Sequence, residues 1–312
     1  MSRQLIIALG GGTSAILSIA FITGSPAMLV MANLAPLPLF LVGLGFGSAA
    51  STIAVAVGLV LSGFLGGLLA AGAYGLVHAL PTWLAVRQSL MNRTKPDGTV
   101  VWQPVGAVLC WLTALAAALL IVAAIATHQG NAGLEQMITT YLNEVMGILA
   151  PSLPAAERDP LISAIVPFFP GSAAVSWLAV LAFNGLLAQA ILARSGRNLR
   201  PTPKLAGFTL PDWISWVLVG ASALALIGSG EVAYLGRNLA MIIAVPFFVL
   251  GAVVVHVLSR RTPSPRVLLV AFYLILLVSG TARLLVAGLG LIEQWAGIRR
   301  RVAAAGPLQE DE

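Results

Sequence analysis

The chain has 312 residues, of which 59% are hydrophobic and only 9% charged, with a formal net charge of +6 and a mean hydropathy of +0.96. That apolar share lies well above the usual one for soluble domains, so the composition excludes an ordinary water-soluble protein. The basic residues sit in short loops where membrane topology already demands them, so the net charge is no argument for nucleic-acid binding.

The apolar runs are long and continuous, and Arg3 and Arg87 bracket a stretch with no charged side chain. A span needs about 20 apolar residues to cross roughly 30 Å of hydrocarbon. Its backbone must satisfy its own hydrogen bonds, and the runs lack the alternation of barrel strands, so the spans are helices. The expected fold is all-α: a polytopic transmembrane bundle of about eight to ten membrane helices with one amphipathic surface helix, in a single integral membrane domain over 1–312.

The first helix is expected at 4–23. Arg3, the run Leu5 to Ile22 and the "SPA" at Ser25 to Ala27 have the layout of a cleavable signal. More membrane sequence follows, which favours a first membrane helix instead. Pro26, Pro36 and Pro38 break the pattern over 24–38, where a loop or re-entrant segment fits. Three further crossings are placed at 37–47, 48–64 and 66–86. "GGGTSA" at Gly10 to Ala15 has neither a preceding strand nor a charged partner, so it is no nucleotide loop. Gly43 with Gly47, and Gly63 with Gly67, stand four apart, as close helix packing prefers.

Arg87, Arg93 and Lys95 mark the next loop as cytoplasmic, and a span follows at 104–127. Residues 128–170 carry Glu135, Glu144, Glu157 and Asp159 against Arg158 alone, which places them outside. Within them, apolar residues from Leu134 to Leu149 recur at helical spacing, with Glu135, Thr139, Asn143 and Glu144 on the other face. An amphipathic helix on the outer membrane face is expected there. The next span, 171–193, contains Asn184 and Gln189, whose simplest role is interhelical hydrogen bonding.

Arg194, Arg197, Arg200 and Lys204 return the chain to the cytoplasm. "FTLPDWISW" (Phe208 to Trp216) reads as a helix start at the membrane surface, opening a span at 211–230. "SGEVAYLGRN" (Ser229 to Asn238) then turns the chain outside the membrane before a span at 238–259. Glu231, Arg237 and Asn238 in it are either a solvated turn or the rim of a binding site. Arg260, Arg261 and Arg266 mark a third cytoplasmic loop before a span at 267–290. Arg283 inside that span either snorkels to the outer interface or faces a partner or a cavity. With Arg237 it would attract an anionic group. The stretch 267–298 is about 48 Å as a straight helix, too long for one crossing, so the basic "GIRRR" tail returns to the cytoplasm if the chain bends near Gly280.

Cys110 stands alone, so no intrachain disulfide forms, and His78, His128 and His256 have no ligand spacing, so neither metal nor other cofactor is expected. No Ser, His and carboxylate arrangement suits nucleophilic catalysis, and the protein is not expected to be an enzyme.

The layout resembles the YybS-like family of predicted bacterial membrane proteins. The likeness rests on "LAPLPLFLVGLGFG" (Leu34 to Gly47), "FTLPDWISWVL", "GRNLAMIIAVPFFVLGAVVVHVLSRR" (Gly236 to Arg261) and "LGLIEQWAGIRRR" (Leu289 to Arg301), with Asn238, Phe247, Gly251 and the terminal arginines at family-like positions. The N-terminal pattern is also similar to the substrate-binding membrane subunits of energy-coupling-factor transporters. Those subunits bind vitamins or metals from outside and work with a separate transmembrane coupler and ATPases. Members of the YybS-like family have no settled activity; the leading expectation is a multi-pass protein of the bacterial inner membrane that binds or transports a small solute, in contact with the lipid bilayer and a membrane protein partner. Glu231, Arg237, Asn238, Arg283 and Asn184 are the expected solute-binding residues. The rival expectation is an assembly or regulatory scaffold whose handles are the helix 134–149, the basic loops and the "QEDE" tail.

Overall fold

The computed structural model describes residues 2–20, 26–129, 133–204 and 207–304. The end of the first expected helix, Ser25 of the "SPA" stretch and the "QEDE" tail lie outside the described residues. The described chain is helical apart from one two-stranded hairpin, and it divides into two compact units: Met1–Leu112 with Trp177–Lys204, and Thr113–Ser176 with Leu205–Glu312.

In the first unit, α1 (Arg3–Ile19), α2 (Pro26–Ala32) and α3 (Pro36–Phe46) precede α4 (Ser48–Tyr74), a π-helical turn (Gly75–Ala79) and α5 (Leu80–Leu90). The segment 24–38, expected as a loop or re-entrant segment, is where described a short helix, a turn over 33–35 and the start of α3. Within α4 the chain reverses at Gly67, whose φ of 77° suits glycine. The two arms lie antiparallel. The Tyr74 hydroxyl abuts Gly58, a Cβ added at Gly63 would meet Ala71 Cβ at 3.5 Å, and one at Gly75 would meet Leu59 at 3.2 Å. The crossings expected at 48–64 and 66–86 are these two arms. Of the glycines assigned to packing, Gly43 lies against Val86, whereas Gly47 and Gly67 serve turns at φ 99° and 77°.

The core of this unit joins Ile7, Ala15, Leu39, Val42, Ala50, Ala54, Tyr74 and Ala79. Inside it the Tyr74 hydroxyl donates to Ser14 Oγ at 3.0 Å, and Ser14 donates to the Ala35 carbonyl at 2.6 Å. The basic segments meet at one end. Arg3 donates to the Phe46 carbonyl at 2.9 Å, and the Leu199 amide donates to Leu44 O at 3.3 Å. Arg200 clamps the Ser89 and Gln103 carbonyls at 3.0 and 2.8 Å. A hairpin of β1 (Asn92–Thr94) and β2 (Val100–Trp102) forms there, with Gly98 at φ 81° in its turn. "KPDG" between the strands is a turn signature that a hydropathy reading passes over.

α6 (Val105–Gln129) and α9 (Phe169–Arg194) each contribute to both units. The second unit holds α7 (Leu134–Leu149), which covers the expected amphipathic helix, and then α8 (Ala155–Ile165) with a 3-10 turn (Val166–Phe168). α10 (Trp213–Ile227) and α11 (Gly230–Ser259) form a hairpin that reverses over Gly228 to Gly230, with Gly236 packed on Leu224 and Ala225. α11 begins eight residues before the expected start at 238, so most of "SGEVAYLGRN" is helix and not turn.

α12 (Pro265–Val278) and α13 (Gly280–Ala296) are bent by 118° at Ser279, where a bend was expected near Gly280. Past a left-handed Gly297, α14 (Ile298–Ala304) follows, and Arg261 Nη2 donates to Val302 O at 2.6 Å. The tail therefore lies at the same end of α11 as the loop 260–266. α11 and α13 run parallel and touch backbone to backbone: a Cβ at Gly251 would strike Val286 O, and one at Gly290 would strike Phe247 O. Neither obstacle is a side chain that can swing away. Gly251→Ala is expected to destabilise the protein by about 1–3 kcal/mol through overpacking. Gly288→Ala, with open space around it, is neutral or stabilising. Unfolding in a detergent titration with sodium dodecyl sulfate compares the two.

Among the described residues four helices are long and apolar enough to cross a membrane: Ser48–Leu90, which folds back at Gly67, Val105–Gln129, Ala155–Arg194 and Gly230–Ser259. The bent pair α12–α13 makes a fifth, and Arg3–Ile19, Val30–Phe46 and Trp213–Ile227 are apolar but shorter. The helical membrane class holds. The sequence-based count of eight to ten included these short and broken helices, because hydropathy scores an apolar run without seeing where its helix ends.

Candidate functional site

Glu231, Tyr234 and Asn238 stand three and four apart, which puts them on one face of the first turns of α11. Each engages the segment 133–171. The Glu231 carboxylate accepts the Leu134 and Glu135 amides at 3.1 and 3.3 Å, capping α7 from a distant element. Gly133 leaves the room for this, because a Cβ there would meet Glu231 Oε1 and push the carboxylate aside. The Tyr234 hydroxyl donates to Val166 O at 3.0 Å. Asn238, fully buried, accepts the Gly171 amide at 2.7 Å and donates to Pro167 O at 3.1 Å and Tyr234 O at 2.9 Å. Gly171 lies in the first turn of α9, so α11 caps two helix starts.

The polar edge of α7 faces α8. Between them opens a cleft of about 400 Å³ lined by Glu135, Thr139, Asn143, Asp159, Ile162, Ser163 and Val166. Thr139 and Asn143 are steadied by bonds to their own helix at 2.8 and 2.9 Å, and Ser163 by Pro160 O at 2.9 Å. Ile162 and Val166 are buried and form its apolar part. Two carboxylates and three neutral hydrogen-bonding groups thus share one opening, with Arg158 3.9 Å from Asp159 as the nearby cation. The arrangement suits a small, positively charged or polyhydroxylated molecule.

Of the residues expected to bind solute, Glu231, Arg237 and Asn238 share the start of α11, and the side chains of Glu231 and Asn238 are engaged in the caps. Arg237 lies over the Phe168 ring at 5.6 Å. Arg283 is exposed near the bend, with Nε 3.5 Å from Ser279 O. Because Gly251 faces Gly290, Arg283 lies level with residue 244, about 10 Å deeper along α11 than Arg237, so the two do not form one rim. Asn184 belongs to the first unit, where it donates to Asn33 O at 2.9 Å and Val180 O at 2.8 Å.

Sequence reasoning missed Asp159, Ile162, Ser163 and Val166. Their spacing follows a helical face, but "PAAERDPLISAI" is short and contains Pro160, which hid the helix. It also missed Glu293, buried with Arg299 at the opposite end of α11. Among the described residues no cluster of His, Cys, Asp and Glu could hold a metal ion.

The sequence model of one family, described as a predicted membrane protein (DUF2232), matches residues 13–293. No curated protein matches the chain, and no solved structure does.

Proposed function

From the premise that the chain belongs to the DUF2232 family of predicted membrane proteins, we propose that it binds a small cationic or polyhydroxylated solute at the cleft between α7 and α8. The observation that carries this reading is the pairing of Glu135 and Asp159 with Thr139, Asn143 and Ser163 around one opening. The proposal takes that end of the unit to face outward from a bacterial inner membrane, a reading supported by the excess of arginine and lysine in the other loops. The role proposed with it is that of a non-enzymatic transport subunit, the one expected from the sequence resemblance to the YybS-like family and to energy-coupling-factor substrate-binding subunits. The anionic solute expected from Arg237 and Arg283 gives way to a cationic one, because the carboxylates and not these arginines line the cleft.

Native mass spectrometry of the protein released gently from its own membrane tests the reading. A discrete small-molecule adduct is expected. The pair Glu135→Gln and Asp159→Asn weakens it at least tenfold, on the order of two charge-assisted hydrogen bonds, while Arg237→Ala retains it. An adduct lost only in Arg237→Ala sinks the cationic assignment. A second reading, a scaffold, draws on the exposed apolar side of α7, where Met137, Tyr141, Ile148 and Leu149 are 41 to 78% exposed. A stoichiometric protein partner released by deleting 134–149, with no adduct, favours it.

A further inference from the structure

At the other end of the second unit, two basic segments 40 residues apart in sequence become one surface. The loop after α11 carries Arg260 and Arg261, the first turn of α12 carries Arg266, and α14 carries Arg299, Arg300 and Arg301. The Arg261–Val302 bond at 2.6 Å ties the loop to the tail. Arg299 is taken up by Glu293 at 2.7 Å. Arg260, Arg266, Arg300 and Arg301 are exposed, and no carboxylate of the described residues lies within 4.0 Å of any of them. Asp212, the acidic residue tied to the foot of α13, receives Gln294 Nε2 at 3.1 Å.

A second feature sets the level of this surface relative to a bilayer. Trp213 and Trp216 open α10, and Trp295 closes α13; they are 48, 74 and 63% exposed. Gln294 also bonds Leu210 O at 3.2 Å, which brings the start of α10 to the foot of α13. Exposed tryptophans at helix ends settle at the headgroup level. Arg300 and Arg301 follow Trp295 by five and six residues, past the turn at Gly297, and the Arg261–Val302 bond sets α14 level with the end of α11, beside that belt.

We infer that Arg260, Arg266, Arg300 and Arg301 form a binding surface for the phosphodiester headgroup of an anionic phospholipid in the adjoining leaflet. A guanidinium matches a phosphate by two parallel N–H···O bonds, and four of them on two segments can hold one or two such groups. Occupancy would fix α14 against the loop, since both must contribute at once.

The test is native mass spectrometry of the full chain in detergent with added phosphatidylglycerol or phosphatidylcholine. The triple variant Arg260→Gln, Arg300→Gln, Arg301→Gln is compared with Arg194→Gln, Arg197→Gln, which removes exposed arginines from the first unit. All of these residues are exposed, and unchanged thermal unfolding of both variants confirms intact folds. The wild type is expected to retain phosphatidylglycerol over phosphatidylcholine. Each arginine contributes about fivefold, so the triple variant loses about 100-fold while the control keeps its preference. Equal retention of the two lipids, or equal loss in both variants, overturns the inference. So does inorganic phosphate that binds alone with the same arginine dependence and displaces the lipid, which reassigns the surface to a free anion. Lipid retained only by a chain ending at Ala304 would mean that the acidic tail, not lipid, covers the arginines, and that too overturns it.

Discussion

Glu293→Ala is expected to lower the stability of the protein by about 3–5 kcal/mol, the usual consequence of leaving one member of a buried ion pair alone. Glu293 is 5% exposed. Its Oε1 accepts Arg299 Nε at 2.7 Å and its Oε2 accepts the Arg299 amide at 3.1 Å. Arg299 Nη2 goes on to the Phe208 carbonyl at 2.9 Å. One carboxylate therefore ties together the foot of α13, the first turn of α14 and the approach to α10. Without it the arginine, whose side chain is 14% exposed, loses its counter-charge in a site that water scarcely reaches. The double variant Glu293→Leu, Arg299→Leu is expected to be less damaging than Glu293→Ala, since it removes both charges together. Unfolding in a sodium dodecyl sulfate titration ranks the variants. Proteolysis past Gly297 reports whether α14 has come away, and a single variant as stable as the wild type would show that the pair contributes nothing.

Asn238→Leu is expected to destabilise the second unit by about 2–4 kcal/mol, and also to weaken binding at the cleft it never touches. The side chain is of similar size, so the loss is polar and not a cavity. It leaves the Gly171 amide without its acceptor and the Pro167 carbonyl without its donor, both inside the packed unit. Val166, which lines the cleft, is held to the same helix face through Tyr234. Displacing the 166–171 segment therefore alters the floor of the cleft. A thermal unfolding shift with a weakened adduct is the expected pair of results. A lost adduct with unchanged stability would instead make Asn238 a direct contact.

"SGEVAYLGRN" was conspicuous in the sequence because charge is scarce, and it does matter. Most of it is the first turns of α11, not a turn. Glu231 and Asn238 hold the starts of α7 and α9, and the pattern i, i+3, i+7 that reveals this was available only once the helix was known to begin at Gly230. The cleft stayed hidden for a related reason: Glu135 and Asp159 are 24 positions apart, one on the polar face of an expected surface helix and the other in a stretch with no expected helix. Asn184 carried two readings, solute binding and interhelical hydrogen bonding; its side chain donates to Asn33 O in the turn after α2 and to Val180 O of its own helix.

The sequence by itself determined the solvent, the helical class and the grouping of the basic loops. Each follows from a local quantity: the apolar content of a run, the backbone's need for internal hydrogen bonds, or the density of arginine and lysine. It also placed the helix 134–149 and the bend near Gly280, where periodicity or length left little freedom. Tertiary structure alone decided that Gly67 turns while Gly43 packs, that Gly251 meets Val286, and that Arg261 reaches Val302. It also paired Glu293 with Arg299 beneath the Phe208 carbonyl. These depend on which distant segments share a surface. A glycine or a carboxylate has the same local chemistry in either role until a neighbour arrives to use it.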